Sequence, residues 1–242
     1  MAKLRPLIKG KGNLDRFNYW LNNFRYLRAI GHVNCTWAKF NDAMKIIKDQ
    51  KNPNEKKRLA RILALPLRKE LISQVAEVHR FLLATVNTKG AMGNVTNWQQ
   101  HLMPTLLTEP GIELAKILGQ KLPADAMPSK IHPGRLRIIV PTIRTNLNKS
   151  EDLKIKVIIL SQRPTENAAL YWRIMGEGTY NRIALKHIAR GVYSVIIPAR
   201  KIKNDLEYYI RVSSNDNQQA TFPATAPDIN QTIVVNDISL TN

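Results

Sequence analysis

The spacing of apolar residues changes once along this 242-residue chain, and the change separates two kinds of structure. In the first half, apolar residues recur at steps of three and four, which is typical of amphipathic helices. In the second half they alternate with polar residues, which is typical of strands that have one buried face. Because neither pattern suits the other structure, the sequence predicts a helical region over residues 1–121 and a β domain over residues 136–242.

Prolines mark the boundary between the two patterns. Pro123, Pro128 and the pair Pro133-Gly134 fall close together, and none of them suits a helix interior. We therefore expect a proline-rich linker over residues 122–135. The predicted fold class is α+β by segregated domains, with an N-terminal all-α region followed by an antiparallel immunoglobulin-like β-sandwich.

In the helical half, the first stripe is expected to end at Gly31 in a left-handed turn, with a second helix after it. Trp20 and Trp37 lie on these two stripes, so both are expected in the core. The stripes consist of Leu14, Phe17, Trp20, Leu21, Phe24 and Leu27, and then Trp37, Phe40, Met44 and Ile47.

Further helix boundaries come from capping residues and prolines. Asn52 can cap a helix that begins at Pro53, and Glu55 can reach back as in a capping box. Pro66 is expected to end or kink that helix, and Gly119 to close the last one. Beyond Pro66, two shorter helices are indicated at 98–107 and 112–118, and a longer helix before them is indicated by the apolar residues Leu67, Leu71, Val75, Val78 and Leu82.

The second half predicts seven or eight short strands with no helix between them, which favours a sandwich of immunoglobulin or fibronectin type III character. Trp172 is expected to fill the core, the alternative being an exposed platform for a ligand. The predicted strands are 136–140, 153–160, 169–174, 180–185, 192–197, 206–212, 220–222 and 232–235.

The charge balance leaves two interpretations open. The chain has 37 Lys and Arg against 18 Asp and Glu, a net charge of +19. This excess describes either a generally basic surface or a face that binds the phosphates of nucleic acid. The sequence contains no apolar run long enough to span a bilayer and no recognisable signal peptide, so we expect no membrane span.

Motifs with a specific catalytic spacing are missing. We find no glycine-rich phosphate loop, no His-Glu-x-x-His and no Gly-x-Ser-x-Gly, so neither a cofactor nor a metal is expected. Glu70 and Glu77 share a helix face, where an ion-paired surface is favoured over an acid–base pair. Cys35 is expected to be a buried structural residue, the alternative being a nucleophile activated by His32.

Three aromatic residues of the helical half lie off the apolar stripes or near predicted loops. They are Tyr19, Tyr26 and Trp98. An exposed aromatic ring can stack on the apolar face of a sugar or on a nucleic-acid base. These three residues are therefore the candidate ligand-binding residues, and no catalytic residue is assigned.

Five stretches together carry a family likeness that composition and periodicity do not explain. They are Leu14–Ala29, Asn97–Pro104, Gly191–Ala199, Leu206–Ile210 and Phe222–Pro227. The first two resemble helical segments of large bacterial polysaccharide-degrading proteins of the glycoside hydrolase type. The other three resemble the immunoglobulin-like module that often ends such proteins.

The resemblance implies a non-catalytic C-terminal portion of a carbohydrate-active enzyme, which buttresses the catalytic domain or positions polysaccharide. A catalytic (β/α)8 barrel would then be missing from this chain, because residues 1–134 hold no set of buried parallel strands. The basic surface would favour acidic or sulfated polysaccharides, and an extracellular or periplasmic location is implied. The alternative is an independent basic nucleic-acid-binding module that uses the helical half.

Overall fold

The computed structural model of the chain describes residues 1–129, 134–189 and 191–236, so Pro133 of the expected linker lies outside the described residues. They form two compact units. The helical unit consists essentially of residues 18–86 and 90–129, and the β unit of residues 134–189 and 191–236 together with 3–17 and 87–89. The predicted fold class is confirmed, since a helical region precedes an immunoglobulin-like sandwich of mainly antiparallel strands.

Among the described residues, five α-helices follow one another in the first half. They are α1 (Lys11–Lys48), α2 (Pro53–Leu59), α3 (Leu65–Thr85), α4 (Lys89–Asn97) and α5 (Glu109–Leu118). Wider π-helical turns join several of them without a break. One such turn, Ala60–Ala64, lies between α2 and α3, and two more, Trp98–Leu102 and Pro104–Thr108, lie between α4 and α5.

Each π turn is followed by one residue that directly precedes a proline. In each case the N–H of that residue donates to the carbonyl five residues earlier. The donor–acceptor pairs are Leu65 to Ala60, Met103 to Trp98 and Glu109 to Pro104. A proline has no N–H to donate and its ring clashes with the carbonyl four residues back, so a wider turn accommodates it. The helical path therefore continues past Pro66, so the helix end expected there is not found.

The structure corrects the prediction for the start of the chain. Gly31 does not end a helix, because α1 continues through it to Lys48. Nor do Trp20 and Trp37 enter the core, since both are exposed. Trp20 is nine residues before the buried Ala29, which places the two side chains on roughly opposite sides of the helix. The buried side of α1 is formed by Leu21, Ala29, Val33, Thr36, Phe40, Ala43, Met44 and Ile47.

Two apolar clusters stabilise the helical unit, and α1 contributes to both. In the first, Ala29 and Val33 pack against residues of α3 and the two later π turns. In the second, Phe40, Met44 and Ile47 pack against Ala60, Ala64 and α5. The predicted caps at the start of α2 and at the end of α5 are confirmed. The Asn52 side chain accepts hydrogen bonds from the backbone at the start of α2, and Gly119 ends α5 in a left-handed conformation (φ 66°).

In the described part of the β unit, ten strands form two sheets. One sheet has the order β1-β3-β7-β6, and the other has the order β2-β10-β8-β4-β5 with β9 also paired to β8. Only the β10–β2 pairing is parallel among the described strands. The strands are β1 (Arg137–Ile139), β2 (Asn146–Asn148), β3 (Leu153–Leu160), β4 (Thr165–Ile174), β5 (Asn181–Ala184), β6 (Lys186–Ala189), β7 (Val192–Ile197), β8 (Leu206–Ser214), β9 (Gln219–Phe222) and β10 (Gln231–Asn236).

Alternating residues of both sheets meet in one core. Along β3 every second side chain is buried, beginning with Leu153, as the alternation predicts. Trp172 on β4 lies opposite Tyr208 on β8, and both rings belong to this core. The expected core position of Trp172 is therefore confirmed.

Candidate ligand-binding cavity in the helical unit

A cavity of about 310 Å³ opens between α1 and the stretch that contains the last two π turns. Its walls combine aromatic rings, aliphatic side chains and short polar side chains. The lining residues are Tyr26, Ile30, Val33, Asn34, Trp37, Asn94, Asn97, Trp98, Leu102, Thr105 and Leu106. A volume of this size falls at the lower end of the range for small-molecule sites in proteins.

The spacing of the lining residues follows from the local helix geometry. On α1, Tyr26, Ile30, Val33 and Trp37 recur at steps of four, three and four, so they share one side of that helix. On the facing stretch, the lining residues Asn94, Trp98, Leu102 and Leu106 are four apart. The turns in that stretch are partly π-helical, a geometry that is often found at functional sites.

One wall of the cavity is a fixed aromatic cluster. The indole Nε1–H of Trp98 donates a hydrogen bond of 2.9 Å to the Tyr26 hydroxyl oxygen. The His79 ring meets Trp98 edge to face, with 5.7 Å between the ring centroids. Burial lowers the pKa of His79, so its imidazole is neutral at neutral pH. Because Trp98 is only 7% exposed, we conclude that this wall is preformed.

The polar groups of the cavity are all uncharged. Three asparagines, Asn34, Asn94 and Asn97, offer side-chain amides that both donate and accept hydrogen bonds, and Thr105 adds a hydroxyl. None of the described lining residues is an acid, a base or a cysteine. This set can hold a neutral ligand that has apolar faces and hydroxyl groups. It includes no carboxylate, histidine, lysine or cysteine.

The structure brings together two of the three candidate ligand-binding residues. Tyr26 and Trp98 are hydrogen-bonded to each other in the cavity wall. Tyr19 lies outside the described lining and contacts Trp20 edge to face, with 5.4 Å between the ring centroids. Sequence reasoning missed Trp37, which it assigned to the core. The signal was present, because Trp37 is eleven residues after Tyr26 and so falls on the same side of a continuous helix.

Other candidate groups from the sequence do not converge. Cys35 is exposed, which corrects the expectation of a buried cysteine, because the core side of α1 passes through its neighbours Val33 and Thr36. Glu77 pairs with Arg80 at 3.3 Å, while Glu70 accepts from Gln74 at 2.8 Å. In the part of the chain that the structure describes, no cluster of His, Cys, Asp and Glu is arranged to hold a metal, and no helix is long and apolar enough to cross a membrane.

The β unit contains a polar network that the sequence did not reveal. Glu207 on β8 accepts hydrogen bonds from Arg173 Nε at 2.6 Å, from Asn230 Nδ2 at 3.0 Å and from the Tyr180 hydroxyl at 3.3 Å. Asn230 Nδ2 also donates to the Tyr180 hydroxyl oxygen at 2.7 Å. These contacts join β4 and β8 to the residues preceding β5 and β10, so the network holds connecting segments against the sheet.

Comparisons with known proteins find only distant likeness. No family model and no curated protein matches the chain. Among solved structures, murine CRIg is 14% identical with a TM-score of 0.28, over 43% of this chain and 99% of that one. A 1.5-MDa bacterial ice-binding adhesin is 12% identical with a TM-score of 0.26, over 42% of this chain and 33% of that one. The twitchin kinase region from C. elegans is 12% identical with a TM-score of 0.29, over 71% of this chain and 33% of that one. The matches therefore span a third of the adhesin and twitchin chains.

Proposed function

We propose that this chain is a non-catalytic binding protein that positions polysaccharide, and that the helical unit holds a neutral sugar residue in its cavity. The observation that carries the proposal is the lining itself, which combines two tryptophans and a tyrosine with three amides and no charge. The link to a carbohydrate-active enzyme rests on the sequence resemblance of the helical segments and the immunoglobulin-like module.

A sugar ring fits this lining chemically. Its C–H groups form an apolar side that packs on an aromatic ring, and its hydroxyls need partners that both donate and accept. Trp37 is 36% exposed, so part of its indole is open to such contact. The side chains of Asn34, Asn94 and Asn97 supply the amides around the rings. The volume of about 310 Å³ favours a short segment of a chain over a long one.

The cavity favours a neutral polysaccharide over an acidic or sulfated one. Recognition of sulfate or carboxylate groups usually relies on Arg or Lys side chains, and the described lining has neither. The net charge of +19 belongs to the chain as a whole and supports only general attraction to polyanions. Binding in the cavity is therefore expected to depend little on salt.

The experiment is a glycan array with neutral, uronic and sulfated polymers, probed at 50 mM and 500 mM NaCl, beside a gel-shift assay with DNA and RNA. The full chain is compared with Trp37→Ala and with Trp20→Ala. Trp20 is the matched control because it lies on the same helix, is also exposed and does not line the cavity. Affinity for the best neutral polymer should fall about tenfold in Trp37→Ala, as for loss of one aromatic stacking contact. Trp20→Ala should bind like the parent chain.

Three results would count against the proposal. One is capture of none of the neutral polymers by the parent chain. Another is neutral binding that survives Trp37→Ala. The third is binding confined to DNA, RNA or sulfated polymers and lost steeply at 500 mM NaCl, which would favour the basic surface as the functional feature instead.

A further inference from the structure

The long helix α1 has a second apolar stripe on the side that faces away from the core. Trp20 is 58% exposed, Phe24 is 56% exposed and Leu27 is 61% exposed. Their spacing of four and three residues confines them to an arc of roughly 60° around the helix axis. We call these three residues the outer stripe. Scattered exposed apolar residues are normal, whereas a contiguous group of large ones marks a surface that contacts a partner.

Aromatic rings dominate the outer stripe and its border. The Tyr19 ring lies edge-on to Trp20, with 5.4 Å between centroids, and is itself exposed. Tryptophan and tyrosine concentrate where a membrane meets water, because their rings are apolar and their N–H or O–H groups remain hydrated. Trp, Phe and Leu are the side chains with which surface helices enter this interfacial layer.

The charges beside the outer stripe have one sign. Between Asn18 and Gly31, Arg25 and Arg28 are the only charged residues. Arg28 is exposed directly after Leu27, while Arg25 lies over the Phe81 ring. With a chain charge of +19, a second copy would meet like charge, whereas an anionic surface would be attracted.

The length of the outer stripe also helps to choose its partner. From Trp20 to Leu27 it spans roughly 10 Å along the axis. Toward the C-terminus, the positions that would extend it along α1 are Gly31, Cys35 and Ala38, which add little apolar surface. Toward the N-terminus, Leu14 and Phe17 continue the same spacing, but both are half-buried. A helical partner generally needs a seam of several heptads, and this patch covers about two turns. A short, broad aromatic patch is sufficient for shallow insertion into a bilayer surface.

We propose that the outer stripe of α1 docks on the surface of an anionic lipid bilayer. Trp20, Phe24 and Leu27 enter the region between headgroups and acyl chains, and Arg28 contacts lipid phosphate or carboxylate groups. The contact is peripheral and reversible, because three side chains are few for stable insertion. It does not depend on the cavity, whose lining shares no residue with the outer stripe.

The test is co-sedimentation of the full chain with vesicles of phosphatidylcholine alone and of phosphatidylcholine with 30% phosphatidylserine, at 100 mM NaCl. The parent chain should bind the anionic vesicles at least tenfold more tightly than the neutral ones. Trp20→Ala/Phe24→Ala should lose at least tenfold in affinity for the anionic vesicles. Arg28→Glu should lose several-fold, and Trp37→Ala should bind like the parent. Circular dichroism of each variant shows whether its helix content is intact.

Insertion itself has a separate readout, which remains informative even if a double variant misfolds. Brominated acyl chains in the anionic vesicles should quench tryptophan emission of the parent chain and of Trp37→Ala, but much less that of Trp20→Phe. Absence of binding to anionic vesicles would overturn the proposal. So would binding that Trp20→Ala/Phe24→Ala leaves unchanged, or a dimer in light scattering that the same variant converts to monomer.

Discussion

Arg68 offers the sharpest test of the energetics in the helical unit. It is 1% exposed, the most buried charged residue among those described. Its Nε donates to the Ala126 carbonyl at 3.2 Å, while its Nη1 has no hydrogen-bond partner within the described ranges. The adjacent Lys69 pairs with Asp125, and no described carboxylate forms an ion pair with Arg68. Within the described residues, the guanidinium is thus a buried charge with one backbone hydrogen bond, from Nε.

The cost of this arrangement can be worked out from its pKa. Burial lowers the pKa of Arg68 from 12.5 to about 10, so the group stays charged at pH 7. A drop of that size corresponds to an unfavourable contribution of about 3 kcal/mol. Because the lowered pKa belongs to a base, folding disfavours its charged form, and the full cost is present at every pH well below 10. Only above that value does the cost diminish.

Replacing Arg68 with methionine removes the charge and keeps most of the apolar volume. The lost hydrogen bond to Ala126 offsets about 1.5–3 kcal/mol of the gain. We expect Arg68→Met to change the free energy of unfolding by between about 0 and +1.5 kcal/mol. Arg68→Ala leaves a cavity in addition and should lower that free energy by about 2–4 kcal/mol. Comparing Arg68→Met with Arg68→Ala therefore separates the effect of the buried charge from the effect of lost packing.

The assay is thermal unfolding at pH 7, followed by circular dichroism at 222 nm, which reports the helical unit. With about 2–4 °C per kcal/mol for a chain of this size, Arg68→Met should melt at or slightly above the parent temperature. Arg68→Ala should melt at least about 4 °C lower. Arg61→Met is the matched control, since Arg61 is exposed in the π turn before α3. If Arg68→Met melts as early as Arg68→Ala, the guanidinium has an anionic partner and the reasoning fails.

Two further predictions concern the β unit. Trp172→Ala should lower the free energy of unfolding by about 3–5 kcal/mol in urea titrations, because it empties a core position between the sheets. A variant of unchanged stability that merely binds a ligand less well would contradict the core position. Glu207→Gln should cost about 1–3 kcal/mol at pH 7 through weakened charged hydrogen bonds. Burial raises the pKa of Glu207, but the hydrogen bonds from Asn230 and Arg173 outweigh it, so the pKa lies below 4.5 in the folded chain. The parent should therefore lose stability as the pH falls below about 4.5, and the stability of Glu207→Gln should depend less on pH over that range. Equal pH dependence of the two proteins would mean that the network does not contribute to stability.

The strands show which parts of the β unit can be predicted from an alternation of apolar and polar residues. β3 begins and ends where the alternation predicts, and β7 likewise matches the predicted 192–197. β2 and β6 were missed. β2 has only three residues, two of them asparagines, and all four residues of β6 are exposed. A strand without a buried face carries no hydrophobic alternation, so only its pairing reveals it.

The helices show the corresponding limit for a period of 3.6. The pattern in α1 contains two apolar stripes, and a stripe alone does not say which side of the helix meets the core. Leu14, Phe17, Trp20, Phe24 and Leu27 form the more regular stripe, yet the buried side runs through smaller residues such as Ala29 and Val33. Those residues pack against α3 in the first apolar cluster, and this burial depends on the partner helix. For the same reason the sequence did not place Trp37 on the cavity.

The two proposals assign different sides of α1 to different ligands, so one set of variants tests both proposals. Trp37 faces the cavity and Trp20 belongs to the outer stripe, so each tryptophan is the control for the other. Trp37→Ala should weaken neutral glycan binding and leave vesicle binding intact, and Trp20→Ala/Phe24→Ala should do the reverse. A variant that loses both activities with full helix content would place the two ligands on one surface. In that case the assignment of α1 to two independent faces would be wrong, since only separate faces allow the two losses to occur independently.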